Sequence, residues 1–228
     1  MSDYGDPHLV AEISRRLQTV RDSIASTGRS VDDVSIVAVT KGFGVDVVRA
    51  AISAGLTRFG ENYADELVEK AEQIADPRVR WTFQGRLQSN KINRLVPHVS
   101  LWQTISSPQQ AEALAKRVPG AAICLQVNLT GRDVQGGCTF ADLDELHAHA
   151  VNVGLTVRGL MGIGPDEADS EVRQQVFGAL HDARLRLGVS IASMGMSNDF
   201  VDAVLAGSTM IRLGSALFGV RPARNTPG

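Results

Sequence analysis

The chain has 228 residues, 43% of them apolar and 21% charged, and its 23 basic and 25 acidic side chains leave a formal charge of −2. Such a chain is long enough for one substantial core and short for two domains, so a single soluble domain is expected over 1–228, with a core at about 10–220 and a loose tail at 221–228. The near-neutral balance, without a basic run or an aromatic-interleaved basic stripe, argues against nucleic acid or an anionic membrane as a partner. Met1–His8 is polar and acidic, no apolar run is long enough to span a bilayer, and the cytoplasm is the expected location.

Two cysteines, Cys124 and Cys138, are too few for a disulfide framework. Cys124 lies in an apolar run and is expected to be a buried thiol. Cys138 follows Gly136 and Gly137 and is expected to be more exposed. His147 and His149 are two apart on a predicted helix and do not share a face, so no metal site is expected.

In chain order, Val10–Ala25 opens the pattern as an amphipathic helix, with Val10, Ile13, Leu17, Val20 and Ile24 at helical spacing. Strand–helix units follow. Ser35–Thr40 precedes a helix near Val45–Ala54, Arg58–Glu61 precedes Ala64–Ile74, and Arg80–Gln84 precedes Asn90–Val96. Leu101–Ile105 precedes Pro108–Arg117, and Ala122–Leu129 precedes Phe140–Val151. Val157–Ile163 leads to a long helix near Ser170–Leu187, Ile191–Met194 to Asp199–Leu205, and Thr209–Leu213 to Ala216 and the tail. Eight strands alternating with helices predict a parallel sheet, and this length suits a (βα)8 TIM barrel with an extra N-terminal helix. The competing doubly wound dinucleotide fold should carry G-x-G-x-x-G after its first strand, and Lys41-Gly42-Phe43-Gly44-Val45-Asp46 fails at the third glycine.

In such a barrel, chemistry collects where strands end. Lys41 closes the run Ser35–Thr40, where an apolar wall meets a cleft. Partial desolvation there lowers an amine's pKa and makes it a better nucleophile towards carbonyls. The other strand ends supply Asn62, Gly85, Ser106 and Ser107, Asn128, Met161 and Gly162, the stretch Ser193–Ser197, and Arg212-Leu213-Gly214-Ser215. They carry few carboxylates and no Ser/His/Asp set. After the seventh strand, Ser197 or Asn198 is expected to cap a helix, and after the eighth, Gly214 allows close backbone approach. Loops in these two places are where this barrel commonly binds phosphate.

A phosphate cradle opposite a strand-end lysine leaves two chemistries open: a Schiff-base aldolase acting on a sugar phosphate, or pyridoxal 5′-phosphate (PLP) held on Lys41. Arg212 favours the second. PLP needs a partner for its pyridine nitrogen, and an arginine, always protonated, donates to that nitrogen and leaves it unprotonated. The ring is then a poorer electron sink, which suits holding the cofactor over using it. The aldolase alternative lacks a second lysine or a strand-end carboxylate for proton transfer.

The segments Val37–Lys41, Gly60–Glu66, Gly85–Lys91, Gly159–Met161, Ser193–Asp199 and Gly207–Gly219 resemble, in order and over about residues 10–220, the YggS/PROSC family of pyridoxal phosphate homeostasis proteins. The resemblance implies an alanine racemase-like barrel that binds PLP through the lysine ending its first strand, which falls on Lys41. It implies phosphate contacts at Ser197, Gly214 and Ser215, a pyridine-nitrogen contact at Arg212, and cofactor-lining positions at Asn62 and Met161. One departure stands in the third strand, where the family's usual Trp-His-Phe-Ile-Gly is Trp81-Thr82-Phe83-Gln84-Gly85. Thr82 replaces an imidazole, so whatever role that histidine has in the family is not carried over to this chain.

Racemisation needs a base on each face of the substrate, and in alanine racemase the second is a tyrosine from another domain. This chain has two tyrosines, Tyr4 in a start expected to be disordered and Tyr63 expected to pack at the rim. The resemblance therefore implies intracellular PLP homeostasis or carriage without robust catalysis. No residue is assigned as catalytic unless it is Lys41, and a weak PLP-dependent amino-acid racemase is the alternative. The expected partners are PLP and apo forms of PLP-dependent enzymes, and the chain is expected to be a monomer.

Overall fold

The computed structural model describes residues 5–132 and 135–220. The expectations for Tyr4 and for the tail at 221–228 lie outside these residues. The first helix, α1 (Pro7–Ser26), begins with Asp6 accepting a hydrogen bond from the His8 N–H and with proline in its first turn, both standard start signals. Ile13, Leu17, Val20 and Ile24 lie on its buried face, as their spacing predicts. Burying each side chain of this size contributes about 1.5–3 kcal/mol.

Eight strands then close on themselves in chain order: β1 (Ser35–Val39), β2 (Arg58–Glu61), β3 (Arg80–Phe83), β4 (Val99–Ile105), β5 (Ala122–Val127), β6 (Thr156–Gly162), β7 (Ile191–Ser193) and β8 (Met210–Leu213). All are parallel, and β8 returns to β1 with Val37 beside Arg212 and Ala38 beside Leu213. Each strand is followed by a helix: α2 (Val45–Ser53), α3 (Ala64–Gln73), α4 (Ile92–Leu95), α5 (Pro108–Ala115), α6 (Leu143–Asn152), α7 (Ser170–Arg186), α8 (Phe200–Leu205) and α9 (Ser215–Phe218). The predicted TIM barrel and its extra helix are therefore the fold. Most element ends fall within a residue or two of the expected ones. The helices after β3 and β5 begin later than their patterns suggest, since the residues just before them form turns.

Strand alternation sorts side chains between two compartments. Residues pointing outward, among them Ala38, Phe59, Trp81, Phe83, Ile123 and Leu213, join the large core between barrel and helices. Val37, Leu101, Cys124, Met161 and Met210 fill the inside. The interior also holds polar groups, notably the buried Thr82, Gln103, Ser193 and Arg212. Such groups require partners there, and the bonds they make shape the mouth of the barrel.

Candidate functional site at the mouth of the barrel

A cavity of about 320 Å³ opens at the C-terminal ends of the strands. Its wall contains all seven residues singled out from the sequence: Lys41, Asn62, Met161, Ser197, Arg212, Gly214 and Ser215. Residues from β1, β2, β6, β7 and β8 and their loops thus meet in one place. Gln84, Asp166, Arg173 and Asp199 also line it.

Lys41 occupies a tight turn. The Phe43 N–H donates to the Thr40 carbonyl at 3.0 Å, and Gly42 takes φ +77°, a left-handed conformation that costs glycine least. Behind the turn lies a buried charged cluster. Lys70 Nζ reaches Glu61 Oε1 at 2.6 Å, the Thr40 carbonyl at 2.8 Å and Glu66 Oε2 at 3.4 Å. The Thr40 hydroxyl donates to Glu61 Oε1 at 2.6 Å, and the Gly42 N–H donates to Glu66 Oε2 at 2.8 Å. Glu61 is fully buried and Lys70 only 5% exposed. Burial pushes the Glu61 carboxyl up from the usual carboxylate range, while Lys70 and Thr40 pull it back down.

The loops after β7 and β8 bring neutral groups to the same cavity. Ser197 Oγ accepts from the Gly214 N–H at 3.3 Å and from the Ala216 N–H at 3.1 Å, so a hydroxyl sits over the first turn of α9. A Cβ on Gly214 would come no closer to the protein than 3.5 Å, from the Val39 carbonyl. Packing therefore does not demand glycine there, while a ligand seated on its N–H would. The loop carrying Ser197 is set by Gly195, at φ +97°, where a Cβ would collide with Ala203.

Arg212 enters from β8 and is 5% exposed. It donates to the Ser193 carbonyl at 2.6 Å, to Ser193 Oγ at 2.9 Å and to the Gly162 carbonyl at 2.9 Å. Ser193 Oγ in turn donates to Gln103 Oε1 at 2.7 Å, deep in the barrel. Desolvation lowers the Arg212 pKa to about 10, opposed by Asp199, so the guanidinium stays charged at neutral pH. These bonds use three of the five N–H donors an arginine carries. It is thus a fixed cation held by neutral acceptors, on the wall of the cavity.

The structure corrects two expectations. The residue preceding α8 is Asp199, not Ser197 or Asn198, and its carboxylate turns back to accept from the Met196 N–H at 2.5 Å. Burial also raises the Asp199 pKa, opposed mainly by that bond and by Arg212. Ser197 is thereby left to serve α9. Cys138 is 8% exposed, not open to solvent, because its backbone pairs with the end of β5: its N–H donates to the Gln126 carbonyl and its own carbonyl accepts from Asn128. Tyr63 is half exposed and does not line the cavity. In place of the expected imidazole, Thr82 donates to the Phe59 carbonyl at 3.2 Å and accepts from Gln84 Nε2 at 3.3 Å. The sequence reading missed Glu61 and Lys70 as parts of the site. Their only signal is a charged pair nine residues apart beginning at a buried strand end. Among the described residues no His, Cys, Asp and Glu cluster could hold a metal ion, and no helix is long and apolar enough to cross a membrane.

Comparison with known proteins gives the family. The family model described as alanine racemase, N-terminal domain, matches residues 12–222. A pyridoxal phosphate homeostasis protein of Pseudomonas aeruginosa is 35% identical over 220 residues, covering 93% of this chain and 94% of its own. The structure of PipY from Synechococcus elongatus with PLP bound superposes with a TM-score of 0.80 at 30% identity, over 91% of this chain and 100% of that one. The crystal structure of a protein from Bifidobacterium adolescentis gives a TM-score of 0.85 at 28% identity, over 93% of this chain and 97% of that one. This chain belongs to the alanine racemase N-terminal domain family, in the group of the pyridoxal phosphate homeostasis proteins.

Proposed function

We propose that this protein holds PLP at the mouth of its barrel through a Schiff base to Lys41 and serves intracellular PLP homeostasis as a binder and carrier, without robust catalysis. The observation that carries this reading is the convergence, on one cavity wall, of a strand-end lysine, a backbone-amide cradle and a buried fixed cation. Bound PLP supplies an aldehyde carbon for the amine and a pyridine ring that draws electrons from it.

The residues present suit such a ligand. The Gly214 and Ala216 N–H groups, now satisfied by Ser197 Oγ, suit a phosphate oxygen, with the Ser197 hydroxyl free to turn and donate as well. Ser215 begins α9 beside them. Arg212 keeps N–H donors beyond its three bonds to protein and is assigned to the pyridine nitrogen. Asn62 Oδ1 is buried on the wall without a hydrogen-bond partner among the described residues, an acceptor that a ligand donor would satisfy. Met161, 2% exposed, gives an apolar surface for a ring.

Support for carriage over turnover comes from the wall itself. Among the described residues that line it there is no tyrosine, histidine or cysteine to stand as a second base opposite Lys41. The carboxylate of Asp199 is held by the Met196 N–H. We expect a monomer whose recipients are apo forms of PLP-dependent enzymes. Adding PLP should produce the visible absorption of a Schiff base in the parent protein and not in Lys41→Ala. Loaded protein should then activate an apo-enzyme at a rate different from free PLP at the same concentration. Equal rates would remove the carrier role, and rapid formation of D-alanine from L-alanine would replace it with racemisation.

A further inference from the structure

We propose that Glu61, Lys70 and Glu66 are positioning residues for Lys41, clamping the backbone on both sides of it so that its amine is presented for bond formation. This rests on the reading that Lys41 carries PLP. Lys41 is the second residue of the turn Thr40–Phe43 and lies between two anchored peptide groups. On one side, the Thr40 carbonyl accepts both the turn bond from the Phe43 N–H and a charged bond from Lys70 Nζ. On the other, the Gly42 N–H donates to Glu66 Oε2, which the same ammonium contacts. Glu61 fixes the ammonium from below and also takes the Thr40 hydroxyl. The three donors of Lys70 are thus spent on Thr40, Glu61 and Glu66, and the two anchors of the turn share one charge.

A stability role alone accounts poorly for this arrangement. A buried ion pair is often no better than apolar residues of the same volume, since desolvation offsets the attraction. Here one carboxylate oxygen, Glu61 Oε2, is also left buried without a hydrogen-bond partner among the described residues. What the cluster adds beyond packing α3 against β1 and β2 is a fixed path for the chain through Lys41. A nucleophile displaced by a fraction of its reach loses rate and equilibrium advantage even when the rest of the site is intact.

The test compares two ligands that share phosphate and ring. PLP can bond to an amine; pyridoxine 5′-phosphate carries an alcohol in place of the aldehyde and cannot. Both are titrated into the full-length parent, Lys70→Met, Lys70→Arg and Glu66→Ala, the last retaining the buried Glu61–Lys70 pair in case Lys70→Met does not fold. We expect the PLP Kd to rise on the order of 10-fold or more in Lys70→Met and several-fold in Glu66→Ala, with pyridoxine 5′-phosphate changing less than about twofold. Lys70→Arg, which keeps charge and donors, should recover part of the PLP affinity. Equal losses for the two ligands, or unchanged PLP binding in both the Lys70→Met and Glu66→Ala proteins, would overturn the positioning role while leaving the PLP reading intact. Absence of a Lys41-dependent visible band in the parent would overturn both.

Discussion

The two walls of the cavity are built on different physics. The Lys41 wall is held by charge: Lys70 and Glu61 are buried 2.6 Å apart, with Thr40 and Glu66 drawn onto them. The Ser197 wall faces the cavity with neutral groups, a serine hydroxyl over two backbone amides and a glycine that packing does not require, with the Asp199 carboxylate bonded to the Met196 N–H within the same loop. Charged clusters in low dielectric are stiff and intolerant of losing a partner, whereas neutral hydrogen bonds can exchange one acceptor for another at little cost. The contrast fits a division of labour, in which one wall aims a nucleophile and the other accepts and releases an anion.

The largest effect should come from the lysine wall. Lys41→Ala is expected to abolish the visible absorption given by PLP and to weaken its binding by on the order of 100-fold, while pyridoxine 5′-phosphate binding stays near that of the parent. Paired titrations of the two ligands check this, and parallel losses would erase the distinction between the walls.

Stability should show the same asymmetry. Lys70→Met leaves Glu61 buried without its counter-charge and should cost about 3–5 kcal/mol in urea unfolding. Glu61→Gln combined with Lys70→Met should recover much of that loss, because the orphaned charge is gone. If the single variant is as stable as the parent, the lysine wall is not held by charge.

On the other wall, Ser197→Ala removes one neutral hydroxyl. A loss of about 0.5–1.5 kcal/mol corresponds to a rise in Kd of about 2- to 13-fold, and it should fall equally on PLP and pyridoxine 5′-phosphate, with little change in melting temperature. A selective loss for PLP would show that this wall also governs bond formation.

The smallest effect concerns the barrel beneath the cavity. Burial pushes the Cys124 thiol up to about 12 and the Cys138 thiol up to about 11. Both folded thiols titrate above an unfolded value of about 8.5, so their contribution to stability is intact below that pH and is lost as pH climbs through 11 and 12. Alkylation of native protein near pH 8 should therefore be slow at both sites and rapid after unfolding. Fast native labelling of Cys124 would mean that water enters the barrel below Arg212.

Much of this was legible in the sequence because the signals are local. Period-two and period-3.6 patterns placed eight strands and their helices, and strand ends gave a set of candidates that the family resemblance narrowed to Lys41, Asn62, Met161, Ser197, Arg212, Gly214 and Ser215; these seven line the cavity, whereas the strand-end residues Ser106, Ser107 and Asn128 do not. What escaped depends on tertiary contact. Lys70 sits in a helix rich in Glu and Gln, where a lysine ordinarily faces water, and only the turn of α3 onto β2 brings it to Glu61. Cys138 follows two glycines and reads as loop, yet its peptide groups bond to β5. Ser197 does not cap α8 because its hydroxyl takes the Gly214 and Ala216 N–H groups seventeen and nineteen residues away, a tertiary contact that local spacing does not show, and Asp199, the residue before α8, makes no side-chain cap bond.

The central claim is that Lys41 is the residue to which PLP attaches. Reduction of the PLP-treated protein with borohydride, followed by peptide mass spectrometry, makes that bond permanent and locates it. A phosphopyridoxyl group on the peptide containing Lys41, lost in Lys41→Ala, is the predicted result. A label on another lysine, or no label at saturating PLP, would contradict it.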